Sequence, residues 1–223
     1  MPLKSPALLV FDWDGTLMDS EARIVACMQQ AADDMGWPVL DAAAIRNIIG
    51  LGLVEAVAAL YPEYDTAEHR ALADRYRYHF LADDTGHSNL FVGVREVLES
   101  CAERDYLLAV ATGKGRRGLD KELDATGLRS MFHATRCADE THSKPHPRML
   151  HEIMDELGVM PADTLVIGDT EFDMRMARNA SATPLPVSYG AHDIERLKPY
   201  SPDWRLDSIG ELIPLLQAAR ERL

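Results

Sequence analysis

Short apolar runs alternate with longer stretches of helical period along this chain. The runs comprise residues 8–11, 107–111, 165–167 and 185–187, with a weaker one at 133–137. Runs of this length are typical of strands that are buried on both faces. At 94–101 and 150–157, apolar side chains recur three or four positions apart, which indicates amphipathic helices. The pattern therefore predicts an α/β fold, with a Rossmann-like, mainly parallel sheet and helices on both faces.

One long segment lacks predicted strands. From residue 20 to about 84 only helical patterns occur, at 24–35, 44–49, 54–58 and 67–81. We expect a helical cap at 16–87, inserted after the first strand, and a catalytic core formed by 1–15 and 88–223. The Gly15–Thr16 turn and residues 84–87 would be its hinges. A cap in this position would exclude water and contact the substrate.

The charge of the chain narrows the range of partners. Its 223 residues carry a formal net charge of -13, with a pI near 5.0. Nucleic acid and anionic membranes are recognised largely through basic surfaces, so we expect neither as a partner. No apolar run approaches the ~20 residues of a membrane helix, and the first residues lack the apolar stretch of a secretion signal. We expect a cytoplasmic protein, monomeric or dimeric, with a small-molecule partner.

Cysteine and histidine give weaker indications of chemistry. The cysteines Cys27, Cys101 and Cys137 are far apart and form no CxxC pair, so we expect buried thiols. His142 and His146 have the spacing of zinc ligands on a helix, but Pro145 between them disfavours a regular helix.

Two aspartates, Asp12 and Asp14, follow the first apolar run and precede Gly15. Carboxylates so close raise each other's proton affinity, and a bound cation relieves the repulsion. A calcium-binding loop is one alternative, but it would need an acid or amide at Thr16 and a glutamate near Arg23. Open α/β sheets bind ligands at the carboxyl ends of their strands. The pair therefore predicts a metal site at this edge.

Polar motifs also follow the other predicted strands. Thr112 and Gly113 follow the second strand, Lys144 follows the weak strand, and Asp169 and Asp173 follow the strand at 165–167. Carboxylates, a hydroxyl and a lysine are the groups that phosphoryl transfer requires around a metal. The combination predicts a phosphoryl-transfer site.

These motifs resemble those of the haloacid dehalogenase superfamily, in its phosphatase branch with a helical cap. The motifs are Phe11-Asp-Trp-Asp-Gly-Thr-Leu-Met-Asp-Ser20, Ala111-Thr-Gly-Lys114, Ser143-Lys-Pro-His-Pro147 and Ile167-Gly-Asp-Thr-Glu-Phe-Asp-Met174. They occur in the family's order and span nearly the whole chain, and phosphoglycolate phosphatases are the most similar group. One departure is the segment 179–182, where relatives often carry a glycine.

The resemblance implies a Mg²⁺-dependent phosphomonoester hydrolase that forms an aspartyl-phosphate. Asp12 would be the nucleophile, and Asp14 would act as general acid and base. The metal would bind Asp12, the main-chain carbonyl of Asp14, and Asp169. Asp173 would support these ligands from behind.

The resemblance also implies contacts to the substrate. Thr112 and the Gly113 amide would hold phosphoryl oxygens, and Lys144 would balance the negative charge of nucleophile and substrate. The expected cap contacts are Arg23, Arg46 and the turn at 50–52.

Other functions are compatible with parts of the pattern. The segment 113–118 fits the GxGxxG motif of dinucleotide-binding proteins, with Asp139 where a ribose-binding acid is expected, so an NAD(P)-binding oxidoreductase is one alternative. A phosphate-accepting receiver module uses similar groups but needs no helical insertion. Within the family, a sugar-phosphate mutase also keeps both acids. Dehalogenases lack the second acid, and phosphonatases need a cap lysine, which is absent between Lys4 and Lys114.

Overall fold

A five-stranded parallel sheet forms the centre of the molecule. The structure is a computed structural model that describes residues 5–82, 89–201 and 203–221. The strands are β1 (Leu8–Phe11), β2 (Met18–Asp19), β3 (Asn89–Leu90), β4 (Leu107–Thr112), β5 (Ala134–Cys137), β6 (Thr164–Gly168) and β7 (Thr183–Pro186). The main sheet has the order β5-β4-β1-β6-β7. The predicted fold class is confirmed, although β7 begins and ends slightly before the predicted strand.

The helices of the described residues are α1 (Glu21–Asp34), α2 (Ala42–Arg46), α3 (Leu53–Leu60), α4 (Thr66–Ala82), α5 (Val94–Ala102), α6 (Arg116–Thr126), α7 (Arg148–Leu157), α8 (Glu171–Asn179), α9 (Ile194–Leu197) and α10 (Leu212–Arg220). Helices α5, α6 and α10 pack against one face of the sheet, and α7 and α8 pack against the other. Among the described residues, no helix combines the length and the apolar character needed to cross a membrane.

Strand β1 lies at the centre of the sheet, and successive side chains point to opposite faces. Leu9 and Phe11 pack into the apolar cluster that includes residues of α5, α6 and α10. Leu8 and Val10 pack into the cluster that includes residues of α7 and α8. A strand buried on both faces has no position for a polar side chain, which explains its continuous apolar run.

Helices α1–α4 form a separate layer with its own apolar cluster. Within the described ranges these helices add no strand to the main sheet. Strands β2 and β3, which the sequence did not predict, pair antiparallel just before α1 and shortly after α4. The helix expected at 44–49 ends at Arg46, and Ile48 and Ile49 lie in the turn that follows. The expected hinge at 84–87 lies outside the described residues.

The segment 179–182, where the family resemblance led us to expect a glycine, contains a residue with a positive φ. Ser181 adopts a φ of 60°, in the left-handed region that favours glycine. Its main-chain amide donates to the carbonyl of Arg178 at 3.0 Å and so ends helix α8. A serine therefore occupies a position where glycine is less strained.

Candidate active site

The predicted site residues converge at the carboxyl edge of the sheet. Asp12 directly follows β1, which lies between β4 and β6. Thr112 is the last residue of β4, and Asp169 directly follows β6. Lys144 and Asp173 approach from the loop after β5 and from the first turn of α8.

The two carboxylate oxygens of Asp12 have different surroundings. Oδ1 accepts a hydrogen bond from the main-chain amide of Trp13 at 2.7 Å and lies 2.8 Å from the ammonium of Lys144. Oδ2 is buried and has no hydrogen-bond partner among the described residues. Burial raises the pKa of Asp12 well above its ordinary value; Lys144 opposes this shift, and the nearby carboxylates of Asp173 and Asp169 add to it.

Lys144 connects Asp12 to Asp173. Its ammonium is completely buried and lies 2.5 Å from Oδ1 of Asp173. Burial alone would lower the pKa of Lys144, but the two carboxylates outweigh this effect and raise it. Oδ2 of Asp173 accepts hydrogen bonds from the main-chain amide and the hydroxyl of Thr170, at 3.1 and 2.6 Å. Lys144 is therefore a fixed positive charge beside Asp12.

Asp169 is held between two glycines. Its Oδ1 accepts from the hydroxyl of Thr16 at 2.9 Å, and its Oδ2 accepts from the main-chain amide of Ala191 at 2.8 Å. A Cβ atom at Gly15 would lie 2.1 Å from Oδ2, and one at Gly190 would lie 2.2 Å from the Cβ of Asp169. Burial, together with the charge of Asp173, raises the pKa of Asp169 to about 7.

These residues fit a divalent cation that prefers oxygen ligands. Asp12, Asp169 and Asp173 offer carboxylate oxygens within 4.8 Å of one another. The cluster has three buried carboxylates and one buried lysine, Lys144, which contacts two of them, so it lacks positive charge. The unpartnered Oδ2 of Asp12 is a free ligand atom. An all-oxygen donor set of this kind suits Mg²⁺.

Asp14 belongs to a second polar cluster. Its Oδ1 accepts from the hydroxyl of Ser20 at 2.6 Å and lies 3.1 Å from the ammonium of Lys114. Lys114 also lies 3.4 Å from Oε2 of Glu122. The indole of Trp13 donates to the same Glu122 oxygen at 2.5 Å. The side chain of Asp14 is therefore oriented by a hydroxyl and an ammonium.

Sequence reasoning assigned no role to Ser20 or Glu122. Ser20 is the last residue of the motif that contains Asp14, so its closeness to Asp14 in the sequence could have indicated this contact. Glu122 lies on α6, and its contact with Trp13 joins residues 109 positions apart. No local pattern indicates such a contact.

The turn at 50–52 contacts the core next to the predicted phosphoryl site. A Cβ atom at Gly113 would lie 2.4 Å from the carbonyl oxygen of Leu51 and 2.6 Å from that of Gly50. The main-chain amide of Gly52 donates to the hydroxyl of Ser143 at 2.7 Å. Only glycine at position 113 accommodates this close approach.

A cavity of about 140 Å³ lies between the helical layer and the core. Asp12, Asp14, Thr112 and Gly113 line its core side. The hydroxyl of Thr112 is buried and accepts from the main-chain amide of Lys114 at 3.2 Å. Asp12, Asp14, Thr112 and Gly113 thus line one cavity, whereas Asp169, Asp173 and Lys144 are not among its lining residues.

Arg23 and Arg46, the predicted cap contacts, are not among the residues that line this cavity. Arg46 forms an ion pair with Glu21, and its side chain is 46% exposed. Arg23 donates to the main-chain carbonyl of Phe80 at 2.6 Å and lies against the ring of that residue. Both arginines therefore contact other residues of the helical layer, and neither belongs to the cavity lining.

The GxGxxG segment has a structural explanation. Helix α6 begins at Arg116, and the carboxylate of Asp139 accepts from the main-chain amide of that residue at 3.0 and 3.2 Å. Asp139 therefore caps a helix, and these contacts count against a dinucleotide site.

The cysteines and the histidine pair take no part in the site. All three cysteines are free and buried, as predicted. Burial raises the pKa of the Cys101 and Cys137 thiols to about 12, which disfavours the reactive thiolate. The rings of His142 and His146 lie 4.4 Å apart at the surface, and within the described ranges neither belongs to a potential metal-binding group.

Comparison with known proteins gives consistent matches. A model of the haloacid dehalogenase-like hydrolases matches residues 9–187. A probable phosphatase, IndB, from Dickeya dadantii is 36% identical, with 92% of this chain and 91% of that protein covered. A phosphoglycolate phosphatase from Vibrio cholerae is 28% identical, with 96% and 98% covered.

Solved structures show the same fold. A predicted phosphoglycolate phosphatase from Haemophilus somnus superimposes with a TM-score of 0.85 at 22% identity, covering 96% of this chain and 99% of that one. A β-phosphoglucomutase from Clostridium difficile superimposes with a TM-score of 0.82 at 18% identity, covering 97% and 98%.

Proposed function

The chain belongs to the haloacid dehalogenase-like hydrolases, and on that premise we propose that it hydrolyses small phosphate monoesters with Mg²⁺ through an aspartyl-phosphate at Asp12. The observation that carries the proposal is the buried Oδ2 of Asp12, which has no partner among the described residues and belongs to a residue that lines the cavity. A buried carboxylate oxygen without a partner is costly unless a ligand completes its contacts.

The first step transfers the phosphoryl group to the protein. A carboxylate oxygen of Asp12 attacks phosphorus, and the ester bond to the leaving oxygen breaks. Asp14 donates a proton to that oxygen, so the product leaves as a neutral alcohol. Asp14 is a protonated carboxyl group before this transfer, and Ser20 and Lys114 hold it in place through its Oδ1.

The second step releases inorganic phosphate. Asp14 takes a proton from a water molecule, the water oxygen attacks phosphorus, and the bond between phosphorus and Asp12 breaks. Both residues return to their starting states. Asp14 acts first as an acid and then as a base. It must therefore lie beside the leaving oxygen in the first step and beside the attacking water in the second.

Charge balance is the main task of the surrounding residues. Bound by Asp12, Asp169 and the main-chain carbonyl of Asp14, Mg²⁺ would neutralise charge on the phosphoryl oxygens. Lys144 places a fixed positive charge beside Asp12, and Asp173 orients that lysine. Thr112 and the Gly113 amide would donate to phosphoryl oxygens on the core side of the cavity.

Helices α1–α4 act in this proposal as a cap at residues 16–87. Their separate apolar cluster and their contacts over Gly113 support this role. A cap that closes over the site would exclude bulk water from the attacked ester and contact its leaving group.

The test is trapping of the acyl phosphate. Purified protein is mixed with acetyl phosphate and Mg²⁺, quenched, and reduced with borohydride, which converts an aspartyl-phosphate into homoserine. Mass spectrometry should locate the change at position 12, and chelation of Mg²⁺ should prevent it. Asp12→Asn is the negative variant, and Asp19→Asn, a carboxylate outside the site, is its matched control. Phosphate release without any modification at position 12 would refute the mechanism.

A sugar-phosphate mutase remains the second candidate within the family, because both acids are present. A phosphatase releases inorganic phosphate, whereas a mutase returns the phosphoryl group to another hydroxyl of the sugar. Incubation with a sugar 1-phosphate, followed by assays for inorganic phosphate and for the 6-phosphate, separates the two.

A further inference from the structure

The wall that the cap contributes to the cavity is apolar. It includes the side chains of Ile24, Met28, Ile49, Leu51, Tyr76 and Phe80. Within the described ranges, the polar side chains that the cap places on this wall are Tyr76 and Arg77. Arg77 is paired with Asp74 at 2.6 Å and is 41% exposed. Apart from the hydroxyl of Tyr76, the cap wall therefore offers little to a polyhydroxylated or charged leaving group.

The ammonium of Lys114, next to Asp14, is already paired with protein carboxylates. Lys114 lies 3.1 Å from Asp14, 3.4 Å from Glu122 and 4.0 Å from the centroid of the Phe80 ring, and its side chain is 7% exposed. Two carboxylates share this ammonium, so the local charge is already negative. A third carboxylate, carried by a substrate, would be repelled and would lose its hydration.

Arg117 is, with Lys114 and Arg77, a positive group among the lining residues, and it is exposed to solvent. A cation at the rim is screened by water and gives a weak contribution to affinity.

From this wall and this charge balance, we propose that the leaving group of the natural substrate is an uncharged, largely apolar alcohol, alkyl or aromatic. The proposal rests on the phosphatase function proposed above and narrows its substrate class. It sets this chain apart from relatives that are named for phosphoglycolate, whose leaving group carries a carboxylate.

The test compares phosphate esters of simple primary alcohols, whose leaving groups are of similar basicity. We expect kcat/KM with Mg²⁺ to rise on the order of tenfold from ethyl to butyl phosphate, because each added methylene leaves water. Butyl and 2-phenylethyl phosphate should also be hydrolysed at least about tenfold more efficiently than phosphoglycolate, because the apolar wall leaves a carboxylate without a partner. Acetyl phosphate has a small leaving group that needs few contacts with the wall. Its turnover therefore measures phosphoryl transfer without the contribution of the wall.

Substitutions in the wall should change the ratio of butyl to ethyl phosphate activity. Ile48→Gln and Leu81→Gln replace half-buried lining residues and should bring this ratio close to one. Leu60→Gln is the matched control, because Leu60 is also half-buried in the helical layer but does not line the cavity. Each ratio is measured on one preparation, so a loss of folded protein cancels.

Two results would overturn this inference and leave the proposed phosphatase function intact. The first is efficient release of phosphate with no dependence on alkyl chain length. The second is a preference for phosphoglycolate that Arg117→Gln removes, which would assign carboxylate binding to the rim. Failure to release phosphate from any ester and from acetyl phosphate would instead overturn the proposed function, and this inference with it.

Discussion

The ammonium of Lys144 lies 2.8 Å from Oδ1 of Asp12, and both side chains are buried. This contact occupies one oxygen of the carboxylate and leaves Oδ2 without a partner among the described residues. The same ammonium contacts Asp173. A single lysine thus contacts both the proposed nucleophile and a second carboxylate of the proposed metal site.

We expect Lys144→Met to destabilise the protein by about 3 kcal/mol at pH 7.5 without Mg²⁺, because buried carboxylates lose their counter-charge. Urea unfolding measures the change. Lys198→Met is the control, since Lys198 pairs with Glu195 in an exposed position and should have little effect. Equal effects of the two substitutions would contradict the role of Lys144.

The metal-free protein should lose stability as the pH rises from about 4 to about 7. Burial raises the pKa values of Asp12 and Asp169 above their unfolded values, in the case of Asp169 to about 7. Between the unfolded and folded pKa values the native state binds more protons, so unfolding becomes easier as the pH increases. Thermal unfolding across this range, with and without Mg²⁺, tests the linkage.

Mg²⁺ should stabilise the protein most at the alkaline end of this range, because its ligands must be ionised. Asp169→Asn should reduce both the stabilisation by Mg²⁺ and the loss of stability with pH. A metal effect that is independent of pH, or unchanged in Asp169→Asn, would exclude this site.

Asp14→Asn should slow the turnover of alkyl phosphates roughly 100-fold, because the leaving oxygen no longer receives a proton. The loss should be much smaller for p-nitrophenyl phosphate, whose leaving group needs no protonation. Metal binding should persist, because the expected metal contact at this residue is its main-chain carbonyl. Equal losses across a leaving-group series, with chemistry limiting, would show that Asp14 is not the general acid.

Gly113→Ala should reduce kcat/KM roughly tenfold or more. Overpacking costs about 1–3 kcal/mol, and about 1.4 kcal/mol corresponds to a tenfold change. The new Cβ would overlap the carbonyl oxygens of Leu51 and Gly50, so the cap could not approach the core as it does here. Gly210→Ala is the control, because its Cβ would have only an ordinary contact at 3.8 Å with Ser208. Unaltered kinetics in Gly113→Ala would show that this approach is not needed for turnover.

Ser181→Gly should stabilise the protein by about 0.5–1 kcal/mol, because glycine adopts a positive φ without the steric cost paid by serine. Ser208→Gly is the matched control, since Ser208 has an extended backbone with a φ of −149°. There glycine only adds freedom to the unfolded chain, so the stability should fall slightly. Chemical denaturation of both variants gives the comparison.

The sequence by itself determined the sheet and the residues at its carboxyl edge. Runs such as 8–11 are apolar because both faces of β1 are covered, and this requirement is visible in one strand at a time. Asp12, Thr112 and Asp169 could be placed together because each lies at the carboxyl end of a parallel strand. Periodicity and strand ends are local properties, so a linear pattern records them.

Only the tertiary structure decided which groups surround Asp14 and the leaving group. Glu122 reaches the site from a helix far along the chain, whereas Arg23 and Arg46 do not line the cavity. Tyr76 and Phe80 read in the sequence as part of a helical pattern, and the packing of α4 turns them toward the cavity. Such contacts depend on how helices pack against one another, and many packings are compatible with the same periodicity.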